Sequence, residues 1–252
     1  MSEHVRVTHD GDVAEIVIDR PERRNALNAE IAQAIADAVA QAGASARVVI
    51  LTGSQGSFCA GGDLDELAAW SQGPPEAIAT TLYSSFQAMI RNIRATDAVV
   101  IAAVGGPAVG AGMDLALACD LRLASEDARF GQVWVRLGVI PGTGGAFLTP
   151  FLAGPTKAAE LLLTGDLITA AQAHEAGVVN DVVAPASLMQ EARAMAERIL
   201  RHPRDGVVAN KRALVMASED GVTAALDHAR EVQPGRFTSD EFKAAVKKAL
   251  SR

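Results

Sequence analysis

The 252-residue chain has only two cysteines, Cys59 and Cys119, and neither stands in a metal-ligand spacing. Two thiols inside apolar, glycine-rich stretches are too few for a disulfide framework, so a reduced, cytoplasmic setting is expected. A basic excess is missing as well: 23 Lys and Arg against 30 Asp and Glu give a formal net charge of −7. Nonspecific nucleic-acid binding rests on a clustered basic surface, which this composition disfavours, although a small anionic ligand held locally is compatible with it. No uninterrupted apolar run approaches the roughly 20 residues of a membrane span. The amino terminus "MSEHVRVTHDG" turns directly into a strand pattern without the apolar core of a signal peptide. A soluble, unprocessed protein with no membrane and no nucleic-acid partner is the expectation.

Several familiar fingerprints also fail. Gly110-Ala111-Gly112 needs a third glycine where Leu115 stands, and Gly142-Thr143-Gly144 needs one at Phe147, so the dinucleotide motif is broken twice. A phosphate loop ending in Gly-Lys-Ser/Thr and the Gly-x-Ser-x-Gly elbow of serine hydrolases are both absent. His4, His9, His174, His202 and His228 make no metal-binding pattern and read as surface or packing residues. No metal and no cofactor are expected.

What the chain does have is 49 % hydrophobic residues, ample for a packed core. Alternation around Asp10-Gly11 in "EHVRVTHDGDVAEIVID" predicts a hairpin. Asn28 is a good N-cap for an amphipathic helix that is expected to end at Gly43. "RVVILTG" and "AVVIAAVGG" read as wholly buried strands, separated by a helix from about Pro75 to Arg94. Each strand runs into a glycine-rich loop that opens a helix, a common way for an α/β protein to build a ligand site. From Gly154 onward the pattern is mostly helical, with "VVNDVV" the only clear strand and a helix from Arg204 to about Ser218. "RHPRDG" suggests a division near residue 200, into a core over 1–200 and a helical region over 201–252.

Two helix-opening loops can each aim a main-chain N–H at one acyl oxygen, because the first N–H groups of a helix lack intrahelical acceptors and carry the positive end of its dipole. Two such donors make an oxyanion hole. "RPERRNAL", "FCAGGDL", "GPAVGAGMDLALACDLRLASEDARFGQ", "GVIPGTGG" and "LLLTGDLITAAQAHEAGVVNDVV", in this order and spacing, resemble the crotonase, or enoyl-CoA hydratase/isomerase, superfamily. The resemblance implies an α/β spiral of ββα units, a helical carboxy-terminal region used in trimer assembly, often as a dimer of trimers, and an acyl-CoA thioester as substrate.

It also implies roles for single positions. The oxyanion donors fall on the N–H groups of Gly62 and Ala111, although small residues there also serve tight turns. The first family carboxylate falls on Asp114, as general base or acid; a first-turn helix acid favoured by the dipole is the plainer reading. The second family glutamate falls on Trp134, and an indole cannot take a proton, which puts ordinary hydration in doubt. A further acidic position of dienoyl isomerases and aryl-CoA members falls on Gly142, which disfavours dehalogenation. Trp134 then reads as a wall of the acyl pocket or a stacking surface for a flat acyl group. Arg24 is expected along the CoA nucleotide, Ala60 beside the adenine or pantetheine, and Asp63 as the cap of the following helix. Tyr83, Gln87 and Arg136 are weaker pocket candidates. The functions that follow are double-bond isomerisation through an enolate with Asp114 alone, or noncatalytic acyl-CoA binding.

Overall fold

Valine and isoleucine alternate with polar residues over the first strands, and they pair accordingly. In the computed structural model, which describes residues 2–251 apart from the side chains of 81, 82 and 225, β1 (Val5–Asp10) and β2 (Val13–Ile18) form an antiparallel hairpin closed at Gly11, whose φ is +56°. Ala14, Ile16 and Ile18 of β2 are fully buried. Helix α1 (Ala29–Ser45) starts where Asn28 accepts the N–H of Ile31. It does not stop at Gly43. A β-carbon there would stand 2.0 Å from the Thr96 hydroxyl oxygen, so the glycine serves a close approach of the helix to the 96–98 segment.

The buried strand β3 (Val48–Gly53) is followed by the loop 54–63, α2 (Leu64–Trp70) and α3 (Pro75–Ala95). Next come β4 (Val99–Val104), the short β5 (Pro107–Val109), α4 (Ala111–Ala118), β6 (Leu121–Ser125) and β7 (Arg129–Gly131). A 3-10 helix over Val133–Leu137 leads to α5 (Gly145–Thr164), which breaks at Gly154 (φ 74°). β8 (Ile168–Thr169), α6 (Ala170–Glu175), β9 (Asp181–Val183), α7 (Leu188–Leu200), α8 (Arg204–Phe237) and α9 (Asp240–Leu250) complete the chain.

The six-stranded sheet has the order β1-β2-β3-β4-β6-β9, parallel from β2 onward, and a three-stranded sheet has the order β5-β7-β8. Strand β6 escapes a reading by hydrophobicity because Arg122 interrupts it. The guanidinium is buried all the same, since it donates to the carbonyls of Val178 and Cys119.

The largest difference from the sequence reading is α8, which continues past Ser218 to Phe237. A β-carbon on Gly221 would stand 2.0 Å from the Phe147 ring, so this glycine marks contact with α5 and not a helix end. Val222, Leu226 and Ala229 of α8 and Phe242 and Val246 of α9 are buried in the same apolar cluster as β2, α1 and α4. This cluster therefore draws on both stretches of the chain, while a second one gathers Val48, Ile50, Ile101 and Leu123 with Leu188, Ala192 and Ala196 of α7. No helix among the described residues is long and apolar enough to cross a membrane.

Candidate active site

The loops after β3 and β5 are laced together. Cys59 N–H donates to Pro107 O at 2.9 Å and Val109 N–H donates to Cys59 O at 3.2 Å, which makes a short parallel bridge between Cys59 and Ala108. Close approach demands small residues here. A β-carbon on Gly112 would stand 2.2 Å from Cys59 O, and one on Gly61, whose φ is +98°, would stand 2.9 Å from Val109 O. Gly62 and Ala111 are thereby brought to one small, partly open cavity, and both line it. Ala111 is the first residue of α4, so its N–H has no intrahelical acceptor. Neither this N–H nor that of Gly62 has an acceptor among the described residues.

The cavity wall is mainly aromatic. Both tryptophans, the single tyrosine and two of the seven phenylalanines line it, in a chain with only 4 % aromatic residues. Trp70 meets Phe86 and Phe237 edge to face, with centroids 6.2 and 5.9 Å apart, so α2, α3 and α8 close round the same space. Tyr83 donates its hydroxyl to Gln233 Oε1 at 2.8 Å. Burial pushes the Tyr83 phenol up, which keeps it protonated.

Asp114 lies one layer deeper. It is fully buried on α4 and is not among the residues lining the cavity. Thr143 lines the cavity and donates its hydroxyl to Asp114 Oδ2 at 2.6 Å, while Gln132 Nε2 donates to Oδ1 at 2.8 Å and to Thr149 Oγ1 at 3.0 Å. Burial pushes the Asp114 carboxyl up to about 6; hydrogen bonds from Thr143 and Gln132 and the main-chain N–H groups of Gly145 and Thr143 pull the other way without cancelling it. The fit is close, since a β-carbon on Gly145 would stand 2.0 Å from Oδ1.

The family model described as enoyl-CoA hydratase/isomerase matches residues 8–251. The chain belongs to the enoyl-CoA hydratase/isomerase family. It is 36 % identical over 238 residues to a crotonyl-CoA hydratase of Syntrophomonas wolfei, covering 93 % of this chain and 88 % of that one. It is also 31 % identical over 242 residues to a 1,2-epoxyphenylacetyl-CoA isomerase of Escherichia coli, covering 95 % and 92 %. Among solved structures, an enoyl-CoA hydratase/isomerase from Mycobacterium paratuberculosis superposes with a TM-score of 0.91 at 29 % identity, covering 98 % of this chain and 99 % of that one.

With the crotonase fold in hand, the remaining candidates sort by position. Trp134 and Gly142 both line the cavity. The space that a side chain at 142 would fill is taken by Gln233, whose Oε1 would stand 2.4 Å from a β-carbon there. Asp63 caps α2 by accepting the N–H groups of Asp65 at 2.9 Å and Glu66 at 3.4 Å. Burial would raise its carboxyl, but the hydrogen bond from Arg20 at 2.6 Å and those two N–H groups outweigh it and hold it below the ordinary range. Arg24 is exposed at the loop beside Ala60, whose N–H donates to Arg24 O. Of the weaker candidates only Tyr83 lines the cavity. Gln87 is buried against Leu226 O and Arg91, and Arg136 is exposed on the surface.

Gln233 and Thr143 are functional candidates that the sequence reading missed. Gln233 sits in the part of α8 beyond the expected helix end. Thr143 lies inside a motif read only for its glycines, and a hydroxyl between Gly142 and Gly144 was the signal available.

Proposed function

We propose that this crotonase-family chain acts on an acyl-CoA thioester by polarising its carbonyl between the N–H groups of Gly62 and Ala111, and that its reaction is proton transfer between carbons. The observation that carries this reading is the convergence of two main-chain donors without acceptors on one apolar cavity. Loss of a proton from the acyl chain places the electron pair on the thioester oxygen as an enolate. Asp114 is the group that stores the proton. Thr143 stands between it and the cavity, so the Thr143 oxygen receives the proton from carbon while its own proton passes to Asp114. Return of the proton at another carbon completes an isomerisation. Hydration is the harder reaction here, because water needs a base and an acid together and Trp134 supplies neither.

Arg24, without an ion-pair partner among the described residues, suits a CoA phosphate, and Ala60 and Asp63 border the same approach. CoA enters as part of the substrate, with no separate cofactor. Exposed Leu163, Leu214 and Met216 suit burial in a homotrimer or a hexamer.

A second reading, noncatalytic acyl-CoA binding, is favoured by one observation: no carboxylate lines the cavity, and both oxygens of Asp114 are already hydrogen-bonded. Both readings are tested by titrating crotonyl-CoA and 3-hexenoyl-CoA calorimetrically and following the conjugated-thioester absorbance. Isomerisation produces a gain of absorbance with the 3-enoyl substrate. Rapid loss with crotonyl-CoA would instead establish hydration, binding without turnover would establish the second reading, and failure to bind would refute both. Ala111→Pro provides the control, since proline is well tolerated at the first helical position yet removes the donor. Turnover is expected to fall roughly 10²- to 10³-fold.

A further inference from the structure

Trp134 lines the cavity, and its Nε1 is buried without an acceptor among the described residues. Buried N–H groups nearly always have a partner, so an unpaired one calls for an account. The indole packs beside Gly110: a β-carbon built on that glycine would stand 3.8 Å from Cε2, the ring carbon bonded to Nε1. Gly110 immediately precedes Ala111, so the Trp134 ring packs against the residue before one proposed thioester donor.

We infer that Trp134 is a specificity-determining hydrogen-bond donor whose N–H donates to an oxygen carried by the acyl group close to its thioester. The preferred substrates or products are then acyl thioesters bearing a keto or hydroxyl oxygen near the reacting carbons, and plain chains of the same length bind less well. The inference rests on the acyl-CoA reading above. It assigns the tryptophan a polar task distinct from that of a wall or a stacking surface. The aromatic remainder of the cavity, Trp70, Phe86 and Phe237, then packs against the apolar part of the acyl group.

The test compares butyryl-CoA with acetoacetyl-CoA, which differ by one keto oxygen, on the wild-type chain and on Trp134→Phe. Wild type is expected to favour acetoacetyl-CoA, and the variant to lose about five- to tenfold of that preference. An equal preference in both proteins would overturn the inference, because the oxygen would then be held elsewhere or the N–H would serve a bound water. If wild type binds neither thioester, the acyl-CoA reading falls first and the inference falls with it. A second measurement does not depend on the variant folding. In wild-type chain carrying 15N-labelled indoles, assigned with Trp70→Phe, the Trp134 N–H proton is expected to move downfield with acetoacetyl-CoA and not with butyryl-CoA. Identical spectra with the two ligands would overturn the proposal.

Discussion

In the folded chain Asp114 titrates at about 6, whereas an aspartate in an unfolded chain titrates near 3.9. The proton is therefore held more tightly by the folded state. The stabilisation linked to this group is complete below the unfolded value and is lost as pH rises through 6. On the proposed mechanism activity runs the other way, since only the ionised form can accept a proton through Thr143. The rate of isomerisation is expected to rise with pH to a plateau, with its midpoint near 6, while the melting temperature declines over the same interval. Asp114→Asn should abolish both trends. It also turns a carboxylate that only accepts into an amide whose NH2 faces donors, at a cost of about 1–3 kcal/mol in a denaturant titration. An unchanged pH profile in the variant would remove Asp114 from the proton path.

At the scale of elements, the decisive contact is that of α4 with the loop before α2. Gly112→Ala places a methyl carbon against Cys59 O, a main-chain atom that cannot swing aside. The variant is expected to lose about 1–3 kcal/mol of stability. Because the two donors would be pushed apart, turnover should fall further than affinity for CoA itself; equal losses would show that the separation of the loops does not govern the chemistry. Elements of this kind were legible in the sequence wherever one local signal dominated. The hairpin, the Asn28 cap and the buried strands at 48–53 and 99–104 all had such a signal. Elements governed by distant contacts were not legible. Gly43 looks like a helix stop but is a point of close packing, and Arg122 hides a strand of the sheet because its charge is met in part by Val178 O, far away in the chain. For the same reason Gln233 escaped notice: its place beside Gly142 depends on how a 34-residue helix crosses the molecule.

Taken whole, the chain leaves several large apolar side chains in solvent. Leu163 is 75 % exposed, Leu214 73 % and Met216 78 %, on α5 and α8. Such side chains are better covered in an assembly. Light scattering coupled to size exclusion is expected to give three or six times the chain mass, and a monomer at micromolar concentration would contradict the proposed homo-oligomer. The sequence motifs sufficed to place the family. They did not show that Asp114 stands behind Thr143, which depends on α4 and the turn before α5 meeting face to face. The bridge between Cys59 and Ala108 carries a consequence for how such a protein changes over generations. On the proposed function, polarising power resides in the main chain and is inherited with the scaffold, so the side chains around it are free to be exchanged without rebuilding the part that would grip the thioester. The tryptophan at 134 and the glycine at 142 would then be changes of side chain made round an unaltered handle.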